Sequence, residues 1–222
     1  MLCFSSGNTR SVNAQRAVLE ALELAGVNTT NQPDLVLINA AVGHDLAKLS
    51  SAIQAQCPAA RVLGASCAGV VGRDGPGESM HDIALMTISG DGFTLGHVDG
   101  LHGDTSFAKG VELARALEAA PQPVRIIYLL ASGIDIANDQ LIAGIESVLG
   151  LDVVIFGATS SDQMQGVATF QSVDGTLFQH SAFAVGIWDP SLEIDTQASH
   201  GFVAVGEPMR ITRTEHNRLI EL

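Results

Sequence analysis

Apolar residues along this chain fall into runs of two kinds. Stretches that are apolar nearly throughout, LVLINAA (35–41) and VRIIYLLA (124–131), suit strands covered on both faces. ARVLGASCAG (60–69) and DVVIFGATSSD (152–162) end similar runs with Gly-Ala-Ser/Thr. Between them, apolar residues recur at helical spacing. Val18, Leu22 and Ala25 share a face of a helix that Ser11 caps and Gly26 ends; Leu46, Leu49 and Ile53 share one that Asp45 opens and Pro58 stops. Phe107, Val111, Ala114 and Leu117 line a third, capped by Asp104 or Thr105 and finished before Pro121. Leu141, Ile145 and Val148 line a fourth, which Asn138 caps and Gly150 closes.

A short strand, MLCF, opens the chain, and VVGRDGPGES (70–79) reads as a glycine-rich loop. HDIALMTISGDGFTLGHVDG (81–100) reads as two strands joined in a hairpin at Gly90-Asp91-Gly92. Residues beyond 162 read almost entirely as strands. The order buried strand, helix, strand, Gly-Ala-Ser/Thr, loop, hairpin occurs twice. Gly43 matches Gly133 at an offset of 90, Gly64 matches Gly157 at 93, and His81 matches His180 at 99. The expected fold is therefore α/β, with mixed sheets and four covering helices. Its two internally similar halves, 34–100 and 124–201, would face each other across a pseudo-twofold axis.

Composition narrows the partners. The chain has 222 residues, 46% of them hydrophobic, which is enough for a sizeable core. Its 24 acidic against 11 basic residues give a net charge of −13, which repels phosphate backbones and anionic bilayers. Neither nucleic acid nor membrane is expected as a partner. No apolar run approaches the roughly 20 residues needed to cross a bilayer, and MLCFSSGNTR lacks a signal-peptide core. A cytoplasmic location is the corresponding expectation. Cys3, Cys57 and Cys67 are odd in number and not closely paired, which suggests free thiols.

Candidate chemistry gathers at the two small-residue turns. Gly64, Ala65, Ala68 and Gly69 allow close backbone approach, and Ser66, Cys67, Thr159, Ser160, Ser161 and Asp162 supply short polar side chains. Sheets of this kind open binding crevices where strands end. If the two turns line one pocket, its rim suits a small polar ligand. Gly64-Ala65-Ser66-Cys67-Ala68 approaches a Gly-x-Ser-x-Gly nucleophile elbow, but glycines and Val70-Val71 follow where the elbow needs a helix. An activated Cys67 would require a neighbour such as His81, His180 or His200. No catalytic residue is assigned. His97, Asp99, His102 and Asp104 in HVDGLHGD match no tetrahedral metal signature, and no phosphate loop is present. No metal or cofactor is expected.

PDLVLINAA, ARVLGASCAG, VRIIYLLASGIDIANDQLIAGI, DVVIFGATSSD and FQSVDGTLFQHSAFAVGI, taken in order, resemble the N-terminal part of a FIST domain, named for F-box and intracellular signal transduction proteins. The likeness runs from FSSGNT through ITRTEHNRLIEL. It implies a cytoplasmic sensory module found beside signalling domains, binding small molecules such as amino acids or their derivatives. By position, the family's Gly-Cys-Ser-Thr-x-Gly turn corresponds to residues 64–69, with Ser66 retained. Its Gly-Gly-x-x-x-Asp stretch corresponds to 157–162, with Ala158 replacing a glycine and Asp162 in place. Asn138 stands where the family carries a helix-opening Asn, and His200-Gly201-Phe202 where it prefers Gly followed by Trp.

The expected ligand site therefore joins Ser66 and Cys67 of one turn to Thr159, Ser160 and Asp162 of the other, with Asn138 and His200 at its rim. NRLIEL resembles the strand that leads into a C-terminal FIST region. The chain ends before that region, from which self-association over an exposed strand edge is expected. Besides a ligand-binding sensor, two alternatives stand: an interaction module without ligand, and a hydrolase-like enzyme using Ser66 or Cys67.

Overall fold

The computed structural model describes residues 1–195, 201–215 and 218–222. Residues 1–189 form one compact unit and residues 190–222 a second. In the first, β1 (Cys3–Thr9), α1 (Ala14–Leu24), β2 (Leu35–Ala41), α2 (Leu46–Gln56) and β3 (Arg61–Cys67) are followed by β4 (Val70–Gly72), β5 (Gly75–Gly77) and β6 (Ile83–Ser89). Then come β7 (Phe93–Asp99), α3 (Ser106–Leu117), β8 (Ile126–Ala131), α4 (Asn138–Leu149), β9 (Val154–Thr159), β10 (Gln171–Val173), β11 (Thr176–Phe178) and β12 (Ser181–Ile187). In the second unit, β13 (Arg213–Glu215) and β14 (Arg218–Glu221) pair antiparallel.

Two mixed sheets result. One runs β1-β6-β2-β3-β10-β11 and the other β7-β12-β8-β9. In each, a central parallel pair (β2 with β3, β8 with β9) is flanked by an antiparallel strand (β6, β12) and then by a further strand antiparallel to that one (β1, β7). Four strands and two helices therefore recur in the same order and the same relative directions.

Strand alternation divides each sheet into two buried faces. Val36, Ile38, Ala40, Val62, Ile83 and Leu85 pack with Ala17, Val18, Leu22, Leu49 and Ile53 of α1 and α2. Ile127, Leu129, Ala131, Ala182 and Ala184 pack with Leu113, Leu117, Leu141 and Ile145 of α3 and α4. The opposite faces, with Leu35, Leu37, Leu63 and Ile88 on one sheet and Ile126, Leu130, Phe183 and Val185 on the other, are buried as well. This explains why the central strands β2, β8 and β12 are largely apolar rather than alternating.

Several local expectations are corrected. The strands at 83–89 and 93–99 make no hairpin: β6 pairs with β1 and β2, and β7 pairs with β12 in the other sheet. Both edges of β6 are already occupied, so β7 has no place beside it, and Gly90-Asp91-Gly92 carries the chain between sheets. Part of the glycine-rich loop at 70–79 forms the β4–β5 ribbon. Asn13, not Ser11, caps α1, accepting from the Arg16 N–H at 3.0 Å. Ala137 is the cap residue of α4, with Asn138 as its first helical residue. Beyond β12 the described residues hold only β13 and β14, not a run of strands.

Candidate functional site

The two repeated turns meet. The Ser161 N–H donates to the Ser66 carbonyl at 2.9 Å, which joins the end of β3 to the segment leaving β9. Beside this junction lies a cavity of about 320 Å³, lined from one sheet by Asn39, Ser66, Cys67 and Ala84 and from the other by Tyr128, Leu130, Ala158 and Thr159, with Ser161 at the joint. Gly157 lets β9 run close against β8. Its φ is +153°, and a Cβ there would stand 1.7 Å from the Leu129 carbonyl oxygen, so no other residue fits.

The polar groups of the cavity differ in how free they are. Ser66 is buried, and its Oγ accepts from the Phe170 N–H at 3.0 Å while its own N–H donates to the Phe170 carbonyl. Its hydroxyl proton is left for another acceptor. Burial pushes the Cys67 thiol up to about 11, and the nearby Asp82 carboxylate adds to the rise. A thiol so placed stays protonated at neutral pH. Thr159 is exposed at the end of β9. Burial also raises the Tyr128 hydroxyl, which the Asn39 side chain hydrogen bonds from across the gap between the sheets. The Tyr128 ring packs against Phe156, with centroids 5.5 Å apart.

The other residues expected at the site have different placements. Ser160 is buried, donates from Oγ to the Ala131 carbonyl at 2.9 Å, and accepts from Gln171 Nε2. Both Asp162 oxygens are taken by its own loop: Oδ2 accepts from the N–H groups of Val167 at 2.7 Å and Ala168 at 3.1 Å, and Oδ1 from Gly166 at 3.1 Å. Those bonds, Val167's foremost, hold its carboxyl below the usual range. Asp162 therefore orders a loop and lines no part of the cavity. Asn138 is exposed at the start of α4 and also lies away from it. His200 lies outside the described residues.

No motif in the sequence singles out Asn39 or Tyr128. Each is a polar residue inside an otherwise apolar buried strand, and that was the signal available. A larger groove of about 730 Å³ runs between the starts of α1 and α2, lined by Val12, Asn13, His44, Asp45 and Lys48 among others. Its polar side chains already have work: Asn13 and Asp45 cap their helices, and Lys48 pairs with Asp45 at 3.4 Å. We therefore place the candidate site in the smaller cavity, where polar side chains from both sheets converge.

The FIST N domain profile matches residues 34–222. The chain belongs to the FIST family. That family comprises sensor domains of signalling proteins. Comparison with curated proteins returned no match. Among solved structures, this FIST chain is similar to cyanuric acid hydrolase from A. caulinodans at 10% identity and a TM-score of 0.39, over 85% of this chain and 71% of that one. A likeness of that strength carries no argument about the chemistry of the FIST chain. Among its described residues, no helix is long and apolar enough to cross a membrane.

Proposed function

We propose that this FIST domain is a sensory module that binds a small polar ligand, of the class of amino acids and their derivatives, in the cavity between its sheets. The observation that carries the reading is the convergence there of Ser66, Cys67 and Thr159 with Asn39 and Tyr128. About 320 Å³ is at the small end of ligand pockets. The hydroxyls of Thr159, Tyr128 and Ser66 would donate to a carboxylate or carbonyl, and the Asn39 amide both donates and accepts. Because the lining comes from both sheets, a bound ligand would tie them together, and that coupling is what a sensor passes to a signalling partner.

A thiol raised to about 11 supports binding over nucleophilic catalysis at Cys67. Ala158 offers a clean test, since it lines the cavity from an exposed edge strand. Thermal unfolding is followed against a panel of amino acids, short peptides and keto acids. A ligand that binds the folded state alone raises stability by RT ln(1 + [L]/Kd). At least one compound is expected to raise the melting temperature of the wild-type chain and to lose that effect in Ala158→Leu, whose own melting temperature stays near wild type. Silence across the panel would favour the interaction module, and an undiminished response in Ala158→Leu would move the site elsewhere.

A further inference from the structure

Away from the cavity, a second cluster forms at one end of the β7-β12-β8-β9 sheet. β7 and β8 are both antiparallel to β12, so the segments leaving β7 and β8 emerge where β12 begins. His102 follows β7, Asp135 follows β8, and His180 precedes β12. Two backbone bonds pin these segments: Leu101 N–H to the His180 carbonyl at 2.8 Å, and Ser132 N–H to the Ser181 carbonyl at 2.9 Å. His102 Nδ1 lies 2.8 Å from Asp135 Oδ2, the imidazoles of His102 and His180 stack with centroids 4.5 Å apart, and one donor atom of each residue falls within 4.8 Å of the others.

We propose that His102, Asp135 and His180 bind a divalent first-row transition metal ion of the zinc class, with its remaining coordination open to solvent. Two imidazoles and a carboxylate are a donor set that zinc and ferrous iron accept with positions to spare. Nδ1 of His180 is buried without a hydrogen-bond partner. Asp135 has a φ of +54°, a conformation uncommon for a residue with a side chain, and such backbone concentrates where a side chain must be aimed. Bonds of about 2.1 Å to zinc put tetrahedral ligands roughly 3.4 Å apart. Closing from 4.8 Å asks only for side-chain rotation, and Asp135 and His102 are exposed enough to rotate. A metal would take the place of the hydrogen bond between His102 and Asp135.

The HVDGLHGD spacing hid this arrangement, because His102's neighbours there go elsewhere. His97 packs on Phe178 with centroids 4.5 Å apart, and Asp99 bonds the Gly100 N–H.

Zn²⁺ titrated calorimetrically into the full chain should bind with one-to-one stoichiometry. Co²⁺ in its place should give the visible absorption of a nitrogen- and oxygen-ligated ion. His102→Ala and His180→Ala should each weaken Zn²⁺ binding by more than about tenfold, whereas His44→Ala, at the separate His44–His81 pair, should leave it unchanged. Should the variants unfold, Co²⁺ added to the wild-type chain should broaden the amide resonances of residues 102–105 and 134–137 first. Absence of binding, binding indifferent to both histidine variants, or broadening centred elsewhere would overturn the site.

Discussion

Ser66 and Asp162 are the most conspicuous polar residues of the repeated turns, and both are committed to the backbone: one accepts from Phe170, the other from Gly166, Val167 and Ala168. Single-residue reading sees a hydroxyl or a carboxylate but not the N–H group that will fold back onto it. A bulky replacement of Ser66 would therefore disturb the 161–171 segment as well as any ligand, which makes Ala158 the better probe. Cys67 gives a prediction at this scale. A thiol near 11 carries roughly 100-fold less thiolate at neutral pH than a free one near 9.0. Iodoacetamide should thus modify exposed Cys3 first, Cys67 far more slowly and buried Cys57 only on unfolding, as peptide mass mapping would record. Cys67 reacting as fast as Cys3 would reopen the nucleophile reading.

Helix α3 shows what periodicity conveys and what it misses. The pattern of Phe107, Val111, Ala114 and Leu117 gives the helix its correct extent, yet Phe107 is exposed and the buried face is Ser106, Gly110, Leu113, Ala114 and Leu117. Glycines decide the rotation. Gly110 and Gly144 sit at the crossing of α3 and α4, where a Cβ on either would stand 2.2 Å from a carbonyl oxygen of the other helix. Apolarity scales give such residues little weight, although they allow the closest approach in the pair. Gly144→Ala should destabilise the fold by about 1–3 kcal/mol, through forced separation of the helices. Urea denaturation would measure it, and an unshifted midpoint would contradict the packing described. The strands were legible because runs such as LVLINAA are buried on both faces. The partnering of β6 and β7 was not, since it depends on which sheet edges other strands have filled.

At the scale of the whole compact unit, the sheets are stitched by a polar residue that no motif marks. Gln171 belongs to β10 in one sheet, yet its Nε2 donates to Ser160 and its Oε1 accepts from Ser181 N–H at 3.3 Å and Ser181 Oγ at 3.1 Å, both beyond its own sheet. It is fully buried, so its bonds fix the spacing between sheets that the cavity requires. The recurrence of Gly-Ala-Ser/Thr was readable from sequence; that Asn39 and Tyr128 would face each other across the gap depends on the stacking of the sheets, which no local pattern encodes. A sensory role requires this gap to receive a ligand. The most direct test is a ¹⁵N-amide correlation spectrum of the chain titrated with the compound that stabilises it best. Shifts should concentrate on Asn39, Cys67, Ala84, Tyr128 and Thr159; shifts confined to the groove around Asn13, His44 and Lys48 would contradict the assignment.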